Sequence, residues 1–479
     1  MLPQSLLLAS GLVLPAVGET VLGVTVFTRH GDRTSKHYPG YSLTPLGVQQ
    51  NFRVGGDYRK RYIASNSPTQ ILGISENKVV NSQLFASAPD QSVLLNTATA
   101  FLQGLYPPLE ELDSDIASQT INNGSSYANP LNGYQYVTLH GEESDSPDTV
   151  WLKGDEGCPA ATASMERFEE SAQFKEKEQS TKSFYQSFAD ALSGVYDYKP
   201  SDLSYKKAFD IFDLLNVASI HNASIPGNVT AEELFQLRTL ADSAEFASNF
   251  DSSDAARSIG GKTFAGAVLR QLNQTVSSKG KLKFSFFAGS YDTFLAFFGI
   301  SKLASVSDDF HGLPIYASTM SFELFTPQTV SEFPSNTDDL RVRFLFRNGS
   351  DGAVPLRAFP LFGRSEESLS WAEFVSFMKD IAITSAEQWC NTCQSELLFC
   401  NAYKAAGTSA SSPGQKSMSN AVAGVIGAMV TLGVVSLLGA MAFILVRRRQ
   451  AARREPAVIR RVSVNEKGSV YSDSASESA

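Results

Sequence analysis

The stretch that decides the fold is "VTVFTRHGDRT", Val24 to Thr34, in which an apolar run ends abruptly in charged residues. The run extends back to Val21 and is apolar and β-branched on both faces. This pattern is typical of a strand that is covered by helices on each side of a sheet. We therefore predict an α/β protein, a three-layer sandwich with a central mixed sheet.

The charged residues at the end of this strand suit a phosphate group. Arg29 and Arg33 can each present forked donors, and His30 between them can act as a nucleophile. Gly31 allows the backbone to approach a ligand closely. A phosphoryl-transfer site needs such cations, because a phosphate dianion has to be held while charge moves between its oxygens. These residues alone fit a solvated basic loop equally well.

Secondary-structure signals lie on both sides of a helical middle region. Before it, the pattern predicts a helix at 43–62, a strand at 79–88 and a helix at 93–105. After it, the pattern predicts a strand at 282–287, an apolar helix ending near Ile300, and antiparallel strands at 321–325 and 340–347. A last helix is capped by Ser370 and Glu373.

The middle region, about 109–275, is predicted to be a mostly helical insertion. Its helical patterns cover 184–195, 205–217 and 230–246, and Thr230 with Glu233 begins the last of them as a capping box.

The overall composition is that of a folded protein whose partner is not nucleic acid. Hydrophobic residues make up 43% of the chain and charged residues 19%. A net charge of -9 argues against a nucleic-acid partner, because binding to a phosphate backbone requires a basic face. A small anionic ligand needs only a local basic pocket. No cluster of histidines and carboxylates suggests a metal site, and we predict no cofactor.

An apolar segment near each end predicts the topology. Residues 1–18 have a short apolar core followed by small residues, as in a signal peptide that is cleaved before Glu19. Residues 421–446 are apolar and uncharged for 26 residues, enough at 1.5 Å per residue to cross a bilayer core of about 30 Å. The alternatives, a buried soluble helix and a lipid-anchor signal, fit the length and the arginines that follow less well.

The flanks of the second apolar segment predict its orientation. The tail, 447–479, is rich in serine and begins with "RRRQAARR". These arginines directly after the apolar segment predict that the tail lies in the cytosol. A Ser/Gly-rich stalk at 404–420 precedes the membrane segment. We therefore predict a single-pass type I membrane protein of the secretory pathway, with residues 19–403 as an extracellular or lumenal domain.

The cysteines and the acceptor sites for glycosylation agree with that compartment. The chain has four cysteines, Cys158, Cys390, Cys393 and Cys400. They can form two disulfides in three possible connectivities. Zinc is a poor alternative, because no histidine lies near the cluster. Five Asn-x-Ser/Thr sequences predict N-glycosylation, at Asn123, Asn222, Asn228, Asn273 and Asn348.

The motifs around the first strand resemble those of the histidine acid phosphatases, a family of the histidine phosphatase superfamily with a phosphoglycerate mutase-like fold. "RHGDRT" directly after a strand, followed by "LTPLG" and "YRKRY", carries the resemblance, which extends to about Ile300. It implies an α/β sandwich with a helical insertion. It also implies that His30 becomes phosphorylated and that Arg29 and Arg33 hold the phosphate.

The sequence departs from the family pattern at two positions. The family has a third pocket arginine after a Ser-x-x-Asp type segment, where this chain has Asp90 followed by Gln91. The family also has a His-Asp pair at a strand end, where this chain reads "AGSYDT" with Tyr291 and Asp292. Tyr291 and Gln91 remain possible neutral donors to phosphate, and Asp292 remains the expected proton donor. His140 is a weaker substitute for the missing histidine, since the family order does not place that residue there.

Two functions follow from these observations. The first is hydrolysis of phosphomonoesters through a phosphohistidine at His30, weakened by the changes at Gln91 and Tyr291. The second is a surface receptor or scaffold that binds phosphate or a phosphorylated ligand without catalysis. In both, the expected partner is a small phosphorylated molecule.

Overall fold

The structure, a computed structural model, describes residues 18–113, 115–193, 195, 198–222 and 229–408. Its strands in chain order are β1 (Thr20–Arg29), β2 (Leu84–Pro89), β3 (Ser118–Thr120), β4 (Ser126–Ala128), β5 (His140–Glu142), β6 (Phe284–Gly289), β7 (Thr319–Thr326), β8 (Arg341–Arg347), β9 (Arg357–Phe359) and β10 (Ser368–Ser370). Its helices are α1 (Pro45–Tyr62), α2 (Ser92–Leu105), α3 (Leu109–Leu112), α4 (Pro130–Gly133), α5 (Pro159–Glu169), α6 (Ala172–Gln186), α7 (Ala208–His221), α8 (Ala231–Asn249), α9 (Ile259–Ser277), α10 (Tyr291–Ile300), α11 (Trp371–Ile381), α12 (Ala386–Cys393) and α13 (Leu398–Thr408).

The main sheet is mixed, as the sequence predicts. Its strands lie in the order β10-β8-β7-β1-β6-β2-β5, and β9 pairs with β8. The pairs β1–β6, β6–β2 and β2–β5 are parallel, while β7, β8, β9 and β10 run antiparallel to their neighbours. The predicted antiparallel pair at 321–325 and 340–347 is confirmed as β7 and β8.

Helices pack on both faces of this sheet. Val24 and Val26 of β1 belong to a core that includes residues of α1 and α2. Phe27, on the other face, packs in a second core against Phe264 of α9 and Phe294 of α10. Because both faces are covered, β1 is apolar on both sides, which explains the continuous apolar run in the sequence.

The carboxyl ends of the three central parallel strands meet at one edge of the sheet. Arg29 pairs with Gly289 at the ends of β1 and β6, and β2 ends beside them at Pro89. Helix α1 begins at the same edge, and there Gly31 packs directly on Gly47. A Cβ atom on Gly31 would lie 2.3 Å from the Gly47 carbonyl oxygen, so this close approach requires glycine. The loop after β1 is therefore held at the site edge.

The middle region, predicted to be a mostly helical insertion over about 109–275, contains helices α3 to α9 and also three short strands. The strands β3, β4 and β5 lie within it, and β5 joins the main sheet beside β2. Helix α9 packs on β1 as part of the central layers. The three short strands have too few residues to produce a periodic pattern, so the sequence did not reveal them.

The helices of the middle region were predicted with mixed success. Helix α7 and helix α8 lie close to the predicted ranges, and the capping box of Thr230 and Glu233 is present. The helix predicted at 184–195 is wrong in position, because α6 ends at Gln186. The apolar residues that follow it, such as Phe188 and Leu192, are buried in turns and not in a helix.

The cysteines pair as Cys158–Cys393 and Cys390–Cys400. These bonds fasten the last helices to α5 around the buried indole of Trp389, whose N–H donates to the Gly154 carbonyl at 2.7 Å. The capping box of Ser370 and Glu373 begins α11, as predicted.

The chain ends that carry the topology predictions lie largely outside the described residues. These comprise the predicted signal peptide, the predicted membrane segment, the predicted tail and most of the predicted stalk. Helix α13 continues to Thr408, so the first residues of the predicted stalk, 404–408, are helical. In the part of the chain that the structure describes, no helix combines the length and apolar character that a membrane crossing requires. At the other end, Glu19 forms an ion pair with Arg343, so the residue after the predicted cleavage point belongs to the fold.

The predicted glycosylation sites differ in accessibility. Asn123, Asn222 and Asn273 are exposed. Asn348 is half-buried, and its side-chain oxygen accepts hydrogen bonds from Ile315 N at 2.9 Å and Ser318 Oγ at 3.1 Å. The remaining site, Asn228, lies outside the described residues. Glycosylation therefore stays a prediction that is weakest at Asn348.

A buried carboxyl on β5 predicts how stability depends on pH. Glu142 is 7% exposed, and burial raises the pKa of Glu142 to about 7, although a hydrogen bond from Ser87 opposes this. The folded state then binds a proton that the unfolded state releases near pH 4.5, so this group lowers stability as pH rises from about 4.5 to 7. We expect Glu142→Gln to reduce this loss by about 2 kcal/mol between pH 5 and pH 7.5, measured by chemical denaturation. The matched control is Glu143→Gln, at an exposed neighbour. Equal pH slopes for the two variants would contradict the assignment.

Candidate functional site

His30 lies buried in the loop that follows β1 and is only 1% exposed. Its backbone N–H donates to the Gly289 carbonyl at 3.1 Å, and its own carbonyl accepts from Ala317 N at 3.0 Å. Nδ1 lies 2.8 Å from the Gly31 carbonyl oxygen, which can only accept, so we assign the proton to Nδ1. Nε2 is buried without a hydrogen-bond partner among the described residues. The ring thus presents a free lone pair at Nε2.

The surroundings keep this imidazole uncharged. Burial, followed by the positive charges of Arg29 and Arg33, lowers the pKa of His30 well below its usual value. The ring therefore stays neutral in mildly acidic solution, where an ordinary histidine takes up a proton. A neutral ring is the form that can attack phosphorus.

Arg29 lies between two tyrosine rings. Its guanidinium carbon is 4.7 Å from the centroid of Tyr316 and 5.3 Å from that of Tyr291. Nη1 donates to the Pro314 carbonyl, while Nε has no partner among the described residues. Burial lowers the pKa of Arg29 to about 10, so the group is still charged at neutral and acidic pH. The stacking fixes a cation beside His30.

Arg33 is fully buried and paired with a carboxylate of α7. Asp213 accepts one hydrogen bond from Arg33 Nη1 at 3.1 Å and lies 2.9 Å from Nη2. The same carboxylate accepts from Ser35 Oγ at 2.8 Å and from Lys36 N at 2.9 Å. Although burial acts in the opposite direction, Asp213 raises the pKa of Arg33. Arg33 is thus held in place by Asp213, and part of its charge is already balanced.

Tyr291 and Asp292 begin α10, directly after β6. The carboxylate of Asp292 is half-buried, and its Oδ1 has no hydrogen-bond partner in the described structure. The phenol of Tyr291 interacts with Glu245, while its ring faces Arg29 and also Lys36, whose Nζ is 5.0 Å from the centroid. Burial, followed by the charge of Glu245, raises the pKa of Tyr291 well above its usual value. The phenol therefore remains a neutral group that is already engaged.

Gln91 lies at the same sheet edge, at the end of β2, two strands from β1. It precedes α2 after the end of β2, and β6 separates β2 from β1. Its half-buried side chain makes no hydrogen bond to Arg29, His30 or Arg33 in the described structure. Arg29 thus contacts Tyr291, Asp292 follows Tyr291 at the start of α10, and Gln91 shares the sheet edge without a hydrogen bond to the loop in the described structure.

Two lysines add positive charge near Asp292. Burial lowers the pKa of Lys36, and Asp292 partly opposes that effect. Lys153 is 7% exposed, and although its burial acts in the opposite direction, Asp292 and Asp155 raise the pKa of Lys153. Burial and the charge of Asp292 raise the pKa of Asp155 to about 6. The site thus contains more cations than the two arginines that the sequence indicated.

The sequence predictions did not include several residues of the site. These residues are Lys36, Lys153, Asp155, Asp213, Glu245 and Tyr316. One signal was visible: Asp210 and Asp213 interrupt an otherwise apolar helix, "AFDIFDLLNV", and a charged residue on an apolar helix face requires a partner. Among the described residues, no group of three or more histidine, cysteine or carboxylate side chains is placed to hold a metal ion.

Comparison with known families gives one family match. The profile described as "Histidine phosphatase superfamily (branch 2)" matches residues 37–347. The match begins after the Arg-His-Gly run. This run is therefore evidence that does not depend on the profile match.

Curated relatives show moderate similarity. The chain is 27% identical over 232 residues to lysosomal acid phosphatase of Xenopus laevis, covering 46% of this chain and 47% of that protein. It is 25% identical over 338 residues to prostatic acid phosphatase of Mus musculus, covering 67% and 79%. The alignment thus spans about half the length of the first relative.

Solved structures share the fold at low identity. The apo phytase of Hafnia alvei superposes with a TM-score of 0.52 at 12% identity, covering 78% of this chain and 99% of that one. The phytase of Klebsiella sp. ASR1 gives a TM-score of 0.51 at 11% identity, covering 77% and 97%. These likenesses show the fold and nothing about the substrate.

Proposed function

Because the chain belongs to the histidine phosphatase superfamily (branch 2), we propose that it hydrolyses phosphomonoesters through a phosphohistidine at His30. The observation that carries this proposal is the buried, neutral imidazole, whose Nδ1 is fixed by the Gly31 carbonyl and whose Nε2 is free. A nucleophile of this kind needs neighbouring cations to hold the phosphate, and Arg29 and Arg33 flank it.

The proposed first step transfers the phosphoryl group to the protein. Nε2 of His30 forms a bond to phosphorus while the bond from phosphorus to the ester oxygen breaks. Arg29 and Arg33 stabilise the charge on the nonbridging oxygens. Asp292 in its protonated form gives its proton to the departing oxygen, which leaves as an alcohol.

The second step returns the site to its starting state. A water molecule attacks the phosphorus of the phosphohistidine, and the carboxylate of Asp292 takes the proton of that water. The bond from phosphorus to Nε2 breaks, so His30 regains its lone pair and inorganic phosphate is released. Asp292 thus acts first as acid and then as base, which its unpartnered Oδ1 permits.

Lys36 and Lys153 can substitute for the pocket arginine and histidine that the family has and this chain lacks. The family arginine is replaced by Gln91, which makes no hydrogen bond to the loop in the described structure, and the family histidine is replaced by Tyr291, whose phenol interacts with Glu245. Both lysines lie close enough to Asp292 for their charges to interact with it. We assign Lys36 to holding the substrate phosphate beside the acid, and we give Lys153 a smaller part because its Nζ already pairs with Glu156 at 2.7 Å.

The direct test is the release of p-nitrophenol from p-nitrophenyl phosphate by the full-length protein between pH 4.5 and pH 7.5. We expect turnover that inorganic phosphate inhibits competitively. Turnover that is unchanged when His30 is replaced would contradict the phosphohistidine.

Tyr291→His, which restores the family residue, is expected to raise kcat about tenfold. A histidine at this position can donate to phosphate, and a donor aimed at the developing charge contributes on the order of 10²-fold when it is fully effective. The control is Tyr291→Phe, which keeps the ring against Arg29 and should change kcat by less than about threefold. If the two variants have equal rates, the tyrosine is not what limits catalysis.

A second function, binding without catalysis, has its own supporting observation. Arg33 already pairs with Asp213, and the phenol of Tyr291 interacts with Glu245. The groups that would stabilise charge on the phosphate oxygens in the transition state therefore already have partners. Such a protein would bind phosphate without hydrolysing its esters. Thermal stabilisation by inorganic phosphate together with absent turnover would support this function.

We also infer a location in the secretory pathway with a single membrane anchor. The apolar segments at 1–18 and 421–446, the disulfides and the Asn-x-Ser/Thr sequences support this inference. The domain that carries His30 would then face the lumen or the cell exterior.

A further inference from the structure

One side of α7 lies against the loop that carries His30. Asp213 pairs with Arg33, and Asp210 lies 3.3 Å from Nδ1 of His37. His221, at the end of the same helix, reaches Asp32. Residues at these spacings lie on one side of an α-helix, so a single helix contacts the loop at three points.

The contact between His221 and Asp32 reaches the loop between His30 and Arg33, and no catalytic role explains it. Nε2 of His221 lies 2.7 Å from Oδ2 of Asp32. Asp32 is fully buried, and the same oxygen accepts from Thr44 Oγ1. Its other oxygen has no hydrogen-bond partner in the described structure. A buried carboxylate with so few donors depends on each of them, because an unpaired charge is costly to bury.

Asp32 is also well placed to control the loop. It stands between His30 and Arg33 in the sequence. Its backbone N–H donates to Gln50 Oε1 at 2.7 Å, and its carbonyl accepts from Thr44 N at 3.0 Å. The backbone of Asp32 is thus held by α1 and by Thr44 before it, while its side chain is held by Thr44 and by His221 of α7.

We propose that His221 is a positioning residue that holds the His30 loop in its working conformation by donating a hydrogen bond to Asp32. The expected effect on kcat rests on the proposed function. The expected effect on the conformation of the His30 loop does not. His221 is 38% exposed in its side chain and contacts the loop through Asp32, so it acts through that carboxylate and not on a ligand. Misplacement of a catalytic group by a fraction of an ångström suffices to slow an enzyme.

The test compares three variants of the full-length protein. In His221→Ala the donor is lost, and we expect kcat for p-nitrophenyl phosphate to fall about tenfold, with KM changed by less than about threefold. His221→Gln places an amide donor at a similar reach and should restore kcat to within about twofold of the wild type. His311→Ala is the matched control, because His311 is exposed and its contacts in the described structure, the Ala304 carbonyl and the ring of Phe246, do not belong to the His30 loop.

A second readout separates this inference from the proposed function. Backbone hydrogen exchange, measured by mass spectrometry on peptides that cover residues 30–36, should be about tenfold faster in His221→Ala than in the wild type, and unchanged in His221→Gln and His311→Ala. If exchange is faster in His221→Ala but the wild type shows no turnover, the proposed function is refuted and the positioning role stands. Unchanged exchange in His221→Ala, or failure of His221→Gln to restore both readouts, would overturn the positioning role. A fall in kcat that His311→Ala shares would also overturn it.

Discussion

Replacement of His30 with alanine is expected to lower kcat for p-nitrophenyl phosphate by at least about 10³-fold. The variant loses the atom that would carry the phosphoryl group, and the remaining cations can only bind the substrate. The fold should persist, because the ring of His30 makes one hydrogen bond to the adjacent Gly31 carbonyl and none through Nε2. Steady-state kinetics with thermal unfolding of the same preparation measures both quantities.

The control for this variant is His140→Ala. His140 is exposed on β5, where its ring stacks on Phe85 with centroids 5.5 Å apart, and it should leave kcat unchanged. Rapid quenching of the wild type with labelled substrate should also trap a phosphoprotein that is stable in alkali and lost in acid. A labelled wild type and an unlabelled His30→Ala would support the nucleophile, and an equally labelled pair would refute it.

The depressed pKa of His30 gives this prediction a pH dependence. Burial and the two arginines keep the ring neutral as the pH falls through the range where ordinary histidines become protonated. We therefore expect kcat/KM to show no loss assignable to His30 protonation between pH 7 and pH 5. A fall in kcat/KM with a midpoint near pH 6.5 that persists in every variant keeping His30 would contradict the buried, uncharged nucleophile.

The second large effect is expected for Asp292→Asn, which should lower kcat by about 10² to 10³-fold for an alkyl phosphate such as glycerol phosphate. An asparagine cannot give a proton to the leaving oxygen or take one from water. The loss should be smaller for p-nitrophenyl phosphate in the first step, because its leaving group needs little protonation. Phosphate affinity should be equal or tighter, since a negative charge has been removed from the site.

The matched control for this variant is Asp155→Asn. Asp155 is also half-buried, and its charge interacts with both Asp292 and Lys153. Asp155 does not transfer a proton in the proposed steps, but its charge supports Lys153, so we expect kcat to fall by less than about tenfold, well short of the loss in Asp292→Asn. A larger loss in Asp155→Asn than in Asp292→Asn would transfer the acid role to Asp155.

The parts of the site that the sequence predicted are those that follow a strand directly. Val21 to Thr28 and the loop after it form one continuous pattern, and Asp292 follows the apolar strand β6 in the same way. Parallel strands bring their carboxyl ends to one edge, so these local patterns were enough to place His30 and Asp292 at the same edge of the sheet.

The parts that the sequence did not predict come from distant positions. Asp213 is 180 residues from Arg33, and His221 is 189 residues from Asp32. Nothing local in α7 indicates which loop its charged side chains contact, because that depends on how the middle region packs. Lys153 lies in a segment with no regular pattern, so no periodicity marked it.

The position of β1 within the sheet has a consequence for the order in which the protein is built. Val24 of β1 pairs with Phe284 of β6, and Thr28 pairs with Thr319 of β7, so both neighbours lie some 260 to 290 residues farther along the chain. At 5 to 20 residues per second, the ribosome delivers β6 roughly 10 to 50 s after β1. During that time an apolar strand that already carries the complete Arg-His-Gly loop has no partner strand. Synthesis therefore exposes an aggregation-prone segment until the second half of the sheet arrives, and we expect the yield of folded protein to depend on chaperones that bind β1 in that interval.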